Sequence, residues 1–104
     1  MNIEEVRRLK EKYEYIENII EEGTNEKMEV NEIVYRLYLI HEDIKTVSKK
    51  INEMGYKING NRGKRKFTHK DISEILRDNN AIKDHFLNQI VTNLFKSKKK
   101  NHTY

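Results

Sequence analysis

Ile44-Lys-Thr-Val-Ser-Lys-Lys-Ile-Asn-Glu-Met-Gly-Tyr56, continued by Lys57-Ile-Asn-Gly-Asn-Arg-Gly-Lys-Arg-Lys-Phe67, is the stretch on which the reading of this chain turns. Its first half carries Ile44, Val47, Ile51 and Met54 at steps of three and four, which predicts a short helix with an apolar back. The opposite face is polar and basic: Lys45, Thr46, Ser48, Lys49, Lys50 and Asn52. Gly55 stands where that helix should stop. The second half predicts a hairpin with Gly60-Asn-Arg-Gly63 at its tip. Tyr56, Ile58 and Phe67 seat it, and Asn59-Gly60 and Arg62-Gly63 supply residues that tolerate positive φ.

Working outward, the residues before this stretch read as two helices. Ile3, Val6, Leu9, Tyr13, Ile16 and Ile20 form one stripe along a helix of about 3–22, closed by Gly23. The stripe is narrow and nearly heptad, which suits a helix shared between core packing and self-association. A second helix, from Met28 or Val30 to about Ile40, turns Ile33, Val34, Leu37 and Ile40 inward, with Tyr35 and Tyr38 at its edges. His41-Glu-Asp43 forms the turn, and Asp43 is placed to cap the next helix. Beyond the hairpin, Thr68 and Asp71 have the spacing of a capping box, opening a helix with Ile72, Ile75 and Leu76 inward. Asp78-Asn-Asn80 breaks it, and a last helix of about 81–95 carries Ile82, Phe86, Leu87, Ile90, Val91, Leu94 and Phe95. A polar, basic tail, 96–104, is expected to fray.

Charge narrows the functional classes. The net charge is +4, but it is unevenly spread. Up to Val30, nine glutamates face five bases, whereas from Lys45 to Lys70 nine bases face Glu53 alone. Such a concentration is the electrostatic footprint of a phosphate-binding surface. At 104 residues the chain is one domain, and 36% apolar residues make a thin core, so part of the apolar surface is expected to be covered by a second copy or a partner. Without cysteine there are no disulfides, thiolate metal sites or cysteine nucleophiles. The N-terminus lacks an apolar leader and no apolar run is long enough to span a bilayer, so the expectation is a cytoplasmic protein with no membrane partner.

Residues 30–76 together resemble the winged helix-turn-helix superfamily. Asn31-Glu-Ile-Val-Tyr-Arg-Leu37 matches its supporting helix, with Val34 where a modest apolar residue lets the recognition helix approach. Lys45 to Tyr56 is similar to the recognition helix, Lys57 to Phe67 stands where the wing belongs, and Phe67-Thr-His-Lys70 resembles the exit from the wing. The turn departs from the pattern: it lacks Gly or Ser and is acidic at Glu42 and Asp43. The wing is also unusually rich in bases and amides. A small protein of this kind with flanking helices is similar, too, to the accessory DNA-binding proteins of clostridial conjugative plasmids, the TcpK type, which bind repeated boxes at the transfer origin.

The expected fold is therefore mainly α with a small β-hairpin wing, carrying extra N- and C-terminal helices. The expected function is sequence-specific binding of double-stranded DNA by a homodimer joined through its first and last helices, in company with other DNA-processing proteins at a plasmid transfer origin. The candidate contacts are Lys45, Thr46, Lys49 and Lys50 on the helix and Lys57, Asn59, Asn61, Arg62, Lys64, Arg65 and Lys66 on the hairpin. Lysines and arginines neutralise phosphates, while the amides offer paired donors and acceptors to base edges. Arg62, at the tip, is the first choice for a groove contact. Two alternatives stand beside this: a repressor of a plasmid or phage operon, and a protein-interaction module that grips an acidic partner. No catalytic residue, metal or cofactor is expected, because the four histidines lack ligand spacing and Gly60-Asn-Arg-Gly63 lacks the ending of a phosphate loop.

Overall fold

From Ile33 to Leu39 every side chain is buried, Arg36 included, and the rest of the molecule is arranged around this run. The computed structural model describes residues 2–25 and 27–101, the last three by their backbone alone. It is mainly helical with a small antiparallel hairpin: α1 (Ile3–Glu22), α2 (Val30–His41), α3 (Ile44–Glu53), β1 (Ile58–Gly60), β2 (Gly63–Arg65), α4 (His69–Arg77) and α5 (His85–Asn101). Among the described residues no helix is long and apolar enough to cross a membrane.

The buried run is all-round because α2 packs against each of the other four helices. A helix enclosed on every side cannot keep tyrosines at its edges, so Tyr35 and Tyr38 are core residues, at 0% and 2% exposure, and Ile40 is only half-buried. A buried tyrosine hydroxyl requires a partner. Tyr35 meets this need at the junction of α4 and α5. Its hydroxyl lies 2.9 Å from the carbonyls of both Ile75 and Asp78, to either of which it donates, and it accepts from Asn88 Nδ2 at 3.0 Å. Tyr38 meets the ring of Phe95 edge-on, with centroids 5.7 Å apart.

The last helix differs from its sequence expectation at both ends. Residues 81–84 are not helical. Asp84 accepts from the backbone N–H groups of Phe86 and Leu87 at 3.1 Å, so the helix starts behind an aspartate cap that hydropathy alone does not reveal. Its helical backbone then continues to Asn101, past the expected end at about Phe95. Residues 102–104 of the expected tail lie outside the described residues. Leu87, Ile90, Val91 and Phe95 are consumed by the core, whereas Phe86 is 45% exposed.

α1 is the other departure. Ile19 is its only buried residue, with Tyr15 and Ile16 half-buried, so it docks through its last two turns. Tyr15 secures this end by donating to Asp84 and meeting Phe86 edge-on. Ile3, Val6, Leu9, Tyr13 and Ile20, expected to share in the core, are exposed.

Candidate nucleic-acid interface

The candidate residues fall on α3 and on the hairpin with its flanking residues Lys57 and Lys66. α3 is held by Val47 and Ile51, both fully buried, with Ile44 half-buried. Met54, expected on the same apolar back, is 46% exposed because the helix has already ended, with Gly55 at φ 89° turning the chain away. Ser48 is buried rather than solvent-facing, its hydroxyl donating to the Lys45 carbonyl at 3.0 Å.

Two clamps fix the hairpin to this frame. Asn52 closes a paired amide contact with Phe67, accepting from its N–H at 2.8 Å and donating to its carbonyl at 3.0 Å. That contact ties the exit of the hairpin to α3. Arg65 makes the second clamp, donating from both terminal nitrogens to the two oxygens of Asp71, at 2.6 and 2.9 Å. Asp71 is also the third residue of the α4 capping box, accepting from the Thr68 N–H at 2.8 Å. The Arg65 guanidinium and these further donors hold the Asp71 carboxyl well below the usual carboxylate range.

Hairpin register explains which side chains are free. Ile58 pairs with Arg65, Asn59 with Lys64, and Gly60 with Gly63. Because strand side chains alternate, Ile58 and Arg65 point toward the body and Asn59 and Lys64 away from it. The Arg65 stem crosses Gly60, where an added Cβ would lie 3.0 Å from it, so a side chain there would make the Arg65 stem shift by a few tenths of an ångström. Positive φ was expected at both glycine steps of the tip, but only Gly63 adopts it, at 110°. Asn61 and Arg62 form the exposed tip itself.

Of the eleven candidate residues, the structure engages three. Arg65 is spent on Asp71. Thr46 donates to Asp43 Oδ2 at 2.7 Å, completing the start of α3. Lys49 reaches Glu53 only loosely, at 4.0 Å with both side chains well exposed, a pairing worth little in solvent. Lys45, Lys50, Lys57, Arg62, Lys64 and Lys66 form no ion pair among the described residues. Lys70 joins them, although hydropathy and hairpin patterning did not single it out. A shallow trough of about 540 Å³ between α3 and the start of α4 is bordered by Lys45, Lys49, Asn52, His69 and Lys70. It also faces the N-terminus of α4, whose backbone dipole adds to the positive field.

One of the two acids of the turn is paired with a cation. Glu42 takes the left-handed conformation, φ 53°, that a Gly would take at less cost. Lys98, from α5, lies against it, 3.5 Å from its carboxylate and 3.2 Å from its carbonyl. Asp43 stays ionised at lower pH than an ordinary aspartate, chiefly through the Thr46 hydroxyl. No metal-holding cluster of His, Asp and Glu occurs among the described residues. No family model, curated protein or solved structure matches this chain.

Proposed function

We propose that the protein binds duplex DNA in a sequence-specific way, in the manner of a winged helix-turn-helix protein, with α3 as the reading helix and the hairpin as the wing. The observation that carries this reading is that seven of the nine bases from Lys45 to Lys70, on α3, the hairpin and the start of α4, carry no ion pair among the described residues. The order and kind of elements are compatible with that arrangement. A solvated helix face normally interleaves both signs, whereas this one is opposed by Glu53 alone and that glutamate is already beside Lys49.

Roles divide by position. Lys45, Lys49 and Lys70 border a trough that suits a phosphate, backed by the α4 N-terminus. Arg62, with Asn59 and Asn61 nearby, projects from the tip and is suited to a groove. Arg65 is a positioning residue that orients the tip through Asp71. In this reading no bond is made or broken. The protein marks a site, either a promoter that it represses or a plasmid transfer origin to which other DNA-processing proteins come.

Selection of bound duplexes from a random pool at physiological salt tests the reading. An enriched motif is expected, and its place in the replicon separates promoter from transfer origin. Arg62→Ala should weaken binding to that motif by about tenfold or more, as loss of one base-edge contact does. Lys83→Ala, exposed on the far side of the sequence, should leave it unchanged. Absence of any enriched motif would sink the proposal and favour an acidic protein as the partner.

A further inference from the structure

We infer that α1 is a parallel dimerisation helix and that its partner is a second copy of this chain. Val6, Leu9, Tyr13, Ile16 and Ile20 follow one another at steps of three, four, three and four, the spacing of alternating a and d positions in a coiled coil. Val6, Leu9, Tyr13 and Ile20 are 46, 37, 64 and 46% exposed, and Ile16 is half-buried. Apart from Ile16, which also packs against the core, the seam is not the face that docks α1 on its own domain. At about 100° per residue, the Tyr15–Ile19 face lies roughly a quarter-turn or more around the helix from the mean direction of the seam. A helix whose only role was to pad the core would have no reason to hold a second apolar stripe in water.

Charge at the flanking positions identifies the occupant. With Val6, Tyr13 and Ile20 at a, the residues beside the seam are Glu5 and Lys12 on one side and Lys10 and Glu17 on the other. Two parallel copies set Glu5 of each against Lys10 of the other, and Lys12 of each against Glu17 of the other. All four contacts of the symmetric pair are attractive. An antiparallel pair either keeps the Lys10–Glu17 attraction alone, with Lys12 against Ile19, or sets Lys10 and Lys12 each against its own copy. Val6 and Ile20, β-branched at a, and Leu9 at d suit two strands, whereas Tyr13 at a and Ile16 at d do not select that number. α5 was also expected to contribute to a dimer, but its apolar face is occupied by its own core. This pairing does not depend on what the basic face binds.

Sedimentation velocity of the full chain, without DNA, over the micromolar range reads the mass directly. The wild-type chain should be a dimer. Lys12→Glu and Glu17→Lys should each weaken it about tenfold, since each turns two attractions into repulsions. The double reversal should restore it. An antiparallel pair would not allow that rescue, because the lysine introduced by Glu17→Lys would then face Lys10. Both positions are exposed, so an unchanged circular dichroism spectrum separates dissociation from unfolding. Because the chain has no cysteine, Val6→Cys supplies a single thiol, and oxidised glutathione should link two parallel copies through it. A monomer at all these concentrations, a double reversal weaker than either single change, or a Val6→Cys dimer that will not cross-link would overturn the inference.

Discussion

Tyr35 is the residue on which the interior is organised. Its hydroxyl joins the end of α4, the Asp78 turn and Asn88 of α5 at one buried point, and Thr92 extends the chain by donating to the Asn88 carbonyl at 2.8 Å. Desolvation, with the nearby Asp78 charge, pushes its phenol up to about 12. Tyr35→Phe should cost about 1–3 kcal/mol, because it leaves a buried carbonyl and an amide short of a partner. Urea titration measures that loss. The pH dependence follows from the direction of the shift. The unfolded chain loses this proton first, so the stabilisation is complete below pH 10 and disappears as pH rises toward about 12. Its alkaline slope should therefore be shallower in Tyr35→Phe. None of this was visible in the helical pattern, which placed Tyr35 at an edge. A tyrosine at a flank of an apolar stripe has the same periodicity whether the neighbouring helix covers it or not.

At the scale of elements, the hairpin is too short to stand alone and is held by its two clamps. Arg65 belongs to a run of four bases in five residues, yet its partner decides its work. Arg65→Ala should lower thermal stability and blur binding specificity, whereas Arg62→Ala should leave thermal stability unchanged and act on binding alone. Equal loss of stability in the two variants would refute the division. Asp71→Ala removes both the clamp and the capping box, and should cost about 2 kcal/mol by the usual worth of a cap and a charge-assisted hydrogen bond. Because the Asp71 pKa is depressed in the folded chain, its contribution is complete above pH 4 and is lost as pH falls through the folded value. The wild-type acid slope should be steeper there than that of Asp71→Ala. The capping box itself was legible, since Thr68 and Asp71 lie three residues apart. The ion pair was not, because Arg65 and Asp71 meet only once the strand register is set.

For the whole molecule, sign and place of charge dominate. The acids of α1 and the cations of the α3–hairpin–α4 surface occupy different parts of the chain, and seven of those cations carry no ion pair among the described residues. If about five of them reach phosphates, the logarithm of the DNA association constant should fall with the logarithm of salt at a slope of about −4 to −5 per protomer. A slope near −1 would mean that the cations are spread too widely to meet one duplex. Joining two copies through α1 would double the contacts offered to repeated half-sites, so dimer-breaking changes in α1 should weaken binding to paired sites far more than to a single one.

The sequence alone determined where the helices and hairpin lie, with the start of α5 the main miss, and it located the concentration of positive charge. Both follow from local rules: the period of apolar residues, glycines at stops, caps at fixed offsets, and charge counted along the chain. Tertiary structure decided which of those cations are free, which apolar stripe is core, and which cation pairs with Glu42. Arg65 and Lys64 are neighbours with the same charge, but strand alternation aims one at Asp71 and the other at solvent. Likewise, α1 and α5 both carry helical apolar stripes, and only the packing around α2 buries the second and leaves much of the first in water. Burial and pairing depend on contacts between residues far apart in the chain, and a one-dimensional pattern holds no record of which side of an element another element will cover.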